Sequence, residues 1–366
     1  MQKTEAADRI IPGSSGMPTP LRTILTLIAP IVVIFALYMG FIFLREQGNA
    51  SQMVKTVVAI VWGIGGAMAL FYVANEVVEL LPNKWMARIQ PFIFVGPAIL
   101  LLAWYLAIPA LRTLQIALTD QNTGQFTLEN FRDVFTQRIM IEAWTNNLLW
   151  MLIGTTLTVA FGLLIAVLAD RSRFERAAKS LIFMPMAISM VGAGVIWKFV
   201  YDFNPNLGLL NATVTAAGGQ PQAWLTLLQP WNNLFLILVL VWMQTGYAMV
   251  LLSAAIKGLS EEMLEAARVD GANEFAVFFR IILPNISGTL LTVVTTIIIF
   301  TLKLFDIVMI MTGGQFGTEV IGVRFYREMF VNGNAGSGSA IAIVLLLAVV
   351  PIMLYNLRQF SQRDTF

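Results

Sequence analysis

Residues 234–302 read LFLILVLVWMQTGYAMVLLSAAI (234–256), KGLSEEMLEAARVDGANEFAVFFR (257–280) and IILPNISGTLLTVVTTIIIFTL (281–302). Two charge-free runs, each long enough to cross a bilayer as a helix (about 20 apolar residues), enclose a segment with eight charged residues. That alternation decides the fold class, which is helical spans joined by polar loops. Inside the loop, Ser260 is a good N-cap and Glu261 and Glu262 suit the positive end of a helix dipole. Gly271 predicts the helix end, because glycine accepts a left-handed backbone. A second short helix is expected from about Asn273, with Phe275, Phe278, Phe279 and Ile282 on one side. Pro284 marks the entry to the next span. On pattern alone the pair reads either as an interfacial connector or as a docking element for a cytoplasmic partner.

Working outward, the same alternation repeats. Hydrophobic residues make up 58% of the 366-residue chain and charged residues 12%, too little polar sequence to cover a soluble globule. The chain reads as an all-α polytopic membrane protein. Eight spans are expected: Ile24–Leu44, Thr56–Asn75, Ile89–Leu111, Ala143–Ala169, Ser180–Trp197, Leu234–Ile256, Ile281–Leu302 and Ala340–Leu357. Three regions follow: a flexible cytoplasmic tail at 1–22, a two-helix membrane extension at 23–90, and a six-helix core at 91–366. The first span is too long for a signal-peptide apolar region and reads as a retained anchor.

With both termini inside, cytoplasmic segments hold fourteen Lys/Arg against seven outside, which satisfies the positive-inside rule. The loop Asp170–Lys179 carries the sharpest bias, through Arg171, Arg173, Arg176 and Lys179. Loops 119–142, 201–233 and 312–339 then face outward, and 257–280 is cytoplasmic.

The zeros exclude chemistry. Without cysteine or histidine there is no disulfide, thiolate nucleophile, Ser-His-Asp triad or histidine-based zinc or haem site. No metal site and no nucleic-acid partner is expected. The phosphate-binding pattern G-x-x-x-x-G-K-[ST] is absent. Gly313-Gly314-Gln315 lacks a following Lys and reads as a flexible outward loop.

Glu265-Ala266-Ala267, three residues, Gly271, nine residues, Ile281, one residue and Leu283-Pro284 fill E-A-A-x3-G-x9-I-x-L-P. This pattern resembles the EAA signature of binding-protein-dependent ABC importer permeases. Phe126–Phe131, Asn146-Asn147 and Met184-Pro185 are similar to further elements of the sugar permeases of that family. The stretch Gly317–Phe330 looks most like alpha-glucoside permeases, and the resemblance covers roughly 91–366. It implies a type I ABC importer architecture, an inner-membrane location in a bacterium, and import of an oligosaccharide or alpha-glucoside. The implied partners are a second EAA-type permease as heterodimer, a cytoplasmic ATPase dimer and an extracytoplasmic solute-binding protein. ATP and Mg would be used by the ATPase, with no cofactor on this chain. Glu265, Ala266, Ala267, Gly271, Ile281, Leu283 and Pro284 would form the ATPase-coupling element. The small alanines allow close approach and Glu265 offers a charge-assisted acceptor.

A sugar site needs amide or hydroxyl partners and aromatic platforms. Trp242, Gln244, Thr245 and Tyr247 on the sixth span offer these, as do Thr295, Thr296, Phe300 and Thr301 on the seventh. Set beside the family's maltose-type site, Tyr247, Phe300 and Thr301 match, and Gln244 falls on a small position. These four are the candidate substrate residues. Trp and Tyr near span ends also serve as interfacial belts, and Thr within a span also bonds back to its own helix. Lys303 and Asp306, at i, i+3, are expected to form an intramembrane ion pair. A membrane enzyme would show acidic and basic clusters at one face. A proton-coupled transporter would want a carboxylate relay, for which Asp306 beside Lys303 is a poor candidate.

Overall fold

The computed structural model describes residues 19–46, 51–170 and 172–363. Of the tail expected at 1–22, residues 1–18 lie outside the described residues, as does Arg171, and residues 19–22 begin the first helix. The described residues are all-helical, with one isolated bridge between Thr119 and Phe126. They divide into a unit ending at Pro109 and a second beginning at Ala110. The sequence-based division at residue 90 falls inside a helix, Asn83–Leu102.

The first unit contains α1 (Thr19–Glu46), α2 (Gln52–Glu79) and α3 (Asn83–Leu102). Gly40 lets the α2 ring of Trp62 lie against α1: a Cβ there would sit 2.2 Å from that ring. The Trp62 indole N–H donates to the Leu37 carbonyl at 3.0 Å. Phe71 on α2 and Phe94 on α3 stack at 6.2 Å. Their remaining side chains are largely exposed apolar groups such as Ile31, Phe35 and Val61, the composition of a surface that faces lipid.

A π-turn (Ala103–Ala107) leads to α4 (Ile108–Ala117). Then come α5 (Glu129–Thr136) and α6 (Arg138–Leu149), which passes through a π-turn into α7 (Thr155–Asp170). Next are α8 (Glu175–Phe183), α9 (Met190–Val200), α10 (Leu209–Ala216) and the long α11 (Trp231–Lys257). The loop expected to be cytoplasmic holds α12 (Glu261–Val269) and α13 (Glu274–Val277). After a π-turn come α14 (Leu283–Asn285), α15 (Ser287–Leu302), α16 (Asp306–Met311), α17 (Ile321–Tyr326) and α18 (Ala335–Arg363). α11 is the axis of the second unit and packs mainly on α7. Their backbones close in at Gly162, where a Cβ would lie 2.5 Å from that of Ala248, the small-residue contact typical of membrane helices. Trp150, Leu236, Ile237, Leu240 and Met243 form the buried centre.

Among the described residues, six helical runs are long and apolar enough to cross a membrane: Thr23–Glu46, Gln52–Glu79, Lys84–Ala117, Arg138–Asp170, Trp231–Lys257 and Ala335–Arg358. Two further runs are bent, and counting each as one span gives eight. The expected straight span Ser180–Trp197 is instead α8 with a short 3-10 turn (Met184–Ala187) and α9, bent by 102°. Pro185 has no N–H to continue the ladder. Ser189 starts a fresh helix, its hydroxyl accepting from the Gly192 N–H at 3.0 Å. Glu274–Asn285 and Ser287–Leu302 likewise bend by 70° at Ile286, so the expected seventh span is not straight.

Candidate functional site

Two structures share α11. At its end is the helical loop. Ser260 caps α12 by accepting from the Met263 N–H at 3.2 Å. At the other end Gly271 sits at φ +82. The Ala272 N–H donates to the Ala267 carbonyl and the Gly271 N–H to the Arg268 carbonyl, both at 3.0 Å. This is the Schellman pairing that a left-handed glycine permits. Asn273 then caps α13, accepting from the Ala276 N–H at 2.8 Å. Arg268 reaches over the turn to Glu274 at 3.0 Å.

α12 has two faces. Leu264 and Ala267 pack on the core with Leu252 and Val277. Glu265, Ala266 and Val269 are exposed, Val269 at 85%. Glu265 has no hydrogen bond or ion pair among the described residues. Ile281 and Leu283 are half-buried and Pro284 is exposed. Ile281 accepts through its carbonyl from the Asn285 amide at 2.7 Å.

Midway along α11 is a cavity of about 300 Å³. Met243, Gln244 and Tyr247 supply one wall, Thr296, Ile297 and Phe300 of α15 a second, and Met186, Ile188 and Met190 at the bend before α9 a third. The volume is at the lower end for a small-molecule pocket. The wall is mostly apolar and carries no charged side chain. The Gln244 amide and the Tyr247 hydroxyl make no hydrogen bond within the described residues, which leaves both free for a ligand. The Thr296 hydroxyl bonds back to the Thr292 carbonyl at 2.8 Å.

Three of the four candidate substrate residues therefore meet at one cavity. Thr301 does not: it is fully buried, with its hydroxyl on the Ile298 carbonyl at 2.9 Å. It lies on another side of α15 from Phe300, about 100° away. Trp242 is taken up in packing against Trp197, ring centroids 5.6 Å apart. The three methionines were not singled out from the sequence, since a Met inside a span carries no signal that separates cavity wall from core.

Lys303 and Asp306 are not an ion pair within 4.0 Å. The i, i+3 argument assumed one continuous helix, but α15 stops at Leu302, Lys303 is its C-cap residue and Asp306 opens α16. Lys303 is exposed and Asp306 half-buried.

Gly313-Gly314-Gln315 is not a slack loop. Gly313, Gly314, Phe316 and Gly317 all have positive φ, and the segment is held from several sides. Asn146 donates to the carbonyls of Gly317 and Glu319, both at 2.8 Å, and Asn232 donates to that of Phe316 at 2.6 Å. Asn147 donates to the Thr301 carbonyl at 3.1 Å and accepts from the Ile321 N–H at 2.9 Å. Arg327 bonds the buried Glu319 carboxylate at 2.9 Å. Burial pushes that carboxyl above the ordinary carboxylate range, against the pull of Arg327 and Arg324.

Residues 158–364 match the family described as binding-protein-dependent transport system inner membrane component. Over 276 residues the chain is 49% identical to the osmoprotective compounds uptake permease protein GgtC of Synechocystis sp., covering 74% of this chain and 99% of that protein. Over 333 residues it is 43% identical to the alpha-glucoside transport system permease protein AglF of Rhizobium meliloti, covering 86% and 99%. A crystal structure of a bacterial ABC transporter involved in the import of the acidic polysaccharide alginate superposes with a TM-score of 0.66 at 20% identity, covering 78% of this chain and all of that one. The EAA-patterned loop lies within the matched residues. The chain belongs to the binding-protein-dependent inner-membrane components: it is a multi-span permease subunit of an ABC importer, and not an enzyme.

Proposed function

We propose that this permease carries a neutral alpha-glucoside or short oligosaccharide, delivered by an extracytoplasmic binding protein, through the cavity beside Gln244, Tyr247 and Phe300. The observation that carries the reading is the unpartnered Gln244 amide and Tyr247 hydroxyl beside the Phe300 ring, on an otherwise apolar and uncharged wall. An aromatic ring suits the apolar face of a sugar, and the amide and hydroxyl suit its edge. The name of the Rhizobium relative supports the substrate class.

α12 is the element that docks on a cytoplasmic ATPase dimer, through Glu265, Ala266 and Val269. Gly271, Ile281, Leu283 and Pro284 set the angle at which the loop returns to the membrane. ATP and Mg belong to that partner, and this chain binds no cofactor. A second EAA-type permease completes the pore. The first two helices form the N-terminal extension, the six later spans the core, and both termini are cytoplasmic.

The test is reconstitution of the complex in liposomes, with uptake of radiolabelled maltose, trehalose and sucrose in the presence of candidate binding proteins. Uptake of at least one, dependent on ATP and on a binding protein, is expected. A complex that imports only charged sugars would overturn the substrate reading. Reporter fusions at Asn122 and Asn206 should read outside and those at Arg173 and the C-terminus inside; an outside signal at Arg173 would refute the orientation.

A further inference from the structure

Outside both sites, five side chains meet where three helices end. Lys179 of α8 donates to Asp170 at the end of α7, to Glu175 at 2.6 Å, and to the Ser253 hydroxyl of α11. Ser253 donates in turn to Asp170 at 2.8 Å. Lys257, on the last turn of α11, donates to Glu175 and stands 3.9 Å from Asp170. The central pair is largely shielded, with side-chain exposures of 19% for Lys179 and 13% for Asp170, so salt screens it less than a surface pair.

A second tie joins the same two helices. At Gly246 a Cβ would lie 2.6 Å from the Ile182 carbonyl oxygen and 2.7 Å from the Phe183 Cα. α8 and α11 therefore touch backbone to backbone there. Gly246 and Ser253 are at i, i+7, on one stripe of α11 and about 10 Å apart. α8 is thus pinned to α11 at two heights. Three residues beyond Phe183 is Met186, a wall of the cavity, and three residues beyond Lys257 is Ser260, the cap of α12.

We infer that the Asp170–Lys179–Ser253 cluster, extended by Glu175 and Lys257, is a latch that makes the α8 side of the cavity follow the coupling helix. A displacement of α12 is delivered to the end of α11. Without the latch, α11 would slide past α8 and leave the Met186–Met190 wall behind. With it, both walls move as one body. These five residues touch neither substrate nor nucleotide; they are positioning residues. The inference rests on the docking role proposed for α12.

The test uses the whole reconstituted importer. Lys179→Met removes the cation that three acceptors share, and Lys179→Arg keeps it. Lys179→Met should lower sugar uptake at least tenfold while basal ATP hydrolysis persists, so that sugar transported per ATP falls. Lys179→Arg should recover at least a third of the wild-type ratio. Because the chain has no cysteine, spin labels at Leu181→Cys and Val250→Cys report the α8–α11 distance directly. That distance should stay fixed between the nucleotide-free and vanadate-trapped states of the wild type, and change or broaden in Lys179→Met. If Lys179→Met accumulates poorly, Ser253→Ala, which removes one bridge and no charge, should show the same fall in ratio. A wild-type ratio in Lys179→Met or Ser253→Ala, with an unaltered label distance, overturns the latch. A wild-type complex that fails to couple ATP to uptake refutes the docking role instead.

Discussion

The side-chain amide of Asn146 donates a 2.8 Å hydrogen bond to the carbonyl of Gly317, 171 residues further along the chain. A second bond from the same nitrogen reaches Glu319. One amide of α6 thus holds the segment between α16 and α17. Replacing it with an apolar residue leaves the buried Glu319 carbonyl short of a donor, while the Gly317 carbonyl still accepts from Gln229 and Asn233. Asn146→Leu should destabilise the folded protein by roughly 1–3 kcal/mol, the cost of one buried unpaired carbonyl. Thermal unfolding in detergent measures this, and an unchanged midpoint would remove the segment from the list of structural locks.

Gly271 tests whether conformation or contact matters at the end of α12. Its φ is +82 and nothing lies within 4 Å of where a Cβ would stand. The whole cost of a side chain is then left-handed strain, about 1–2 kcal/mol for an ordinary residue and less for Asn. ATPase co-purification and uptake should both rank Gly above Asn and Asn above Ala or Asp. Normal transport by Gly271→Asp would detach this loop from coupling.

The cavity gives a paired prediction. Tyr247→Phe removes an unpartnered hydroxyl from its wall and should raise the sugar concentration for half-maximal uptake about five- to tenfold, one hydrogen bond's worth. Thr301→Val, which loses a hydroxyl bonded within its own helix at 2.9 Å, should leave that concentration unchanged. The opposite ranking would place the sugar on another side of α15.

Glu319 makes the lock around Gly317 sensitive to pH. Burial raises its carboxyl above the ordinary glutamate value of 4.5, so the folded state binds this proton more tightly than the unfolded chain does. Its contribution is fully present below 4.5 and is lost as pH rises through the raised folded value. Glu319→Gln should therefore melt higher than the wild type at neutral pH, with the gap closing as pH falls toward 4.5. Measuring the difference between the two proteins cancels other carboxylates, among them Asp120. That group is held below its usual range by the backbone N–H groups of Thr123 and Asn122. A gap that widens on acidification would contradict the desolvation account.

The helical loop at 257–280 was legible in advance because its determinants are local. An N-cap hydroxyl, a left-handed glycine and a second cap lie within fourteen positions of one another, Ser260 to Asn273, and each acts through its own backbone. The apolar runs were legible for the same reason: a bilayer imposes a length on any uninterrupted helix. Charge-free length did not reveal the bend at Pro185 and Ser189, although a proline followed four residues later by a capping serine is itself a local signal.

Composition, spacing and caps thus determined that the chain is helical, spans a membrane and carries the EAA pattern. Tertiary structure alone decided which side chains meet. Gln244 and Thr301 are equally polar in the sequence, yet Gln244 is free at a cavity and Thr301 is sealed inside. The glycines at 313 and 314 read as slack, yet Asn146, Asn147 and Asn232, from two distant helices, hold the segment around them. Lys179 reads as one more positive-inside charge, yet it closes a network with Ser253, 74 residues away. A hydrogen bond depends on distance and direction in space, and a one-dimensional pattern specifies these only within a few turns of the same helix.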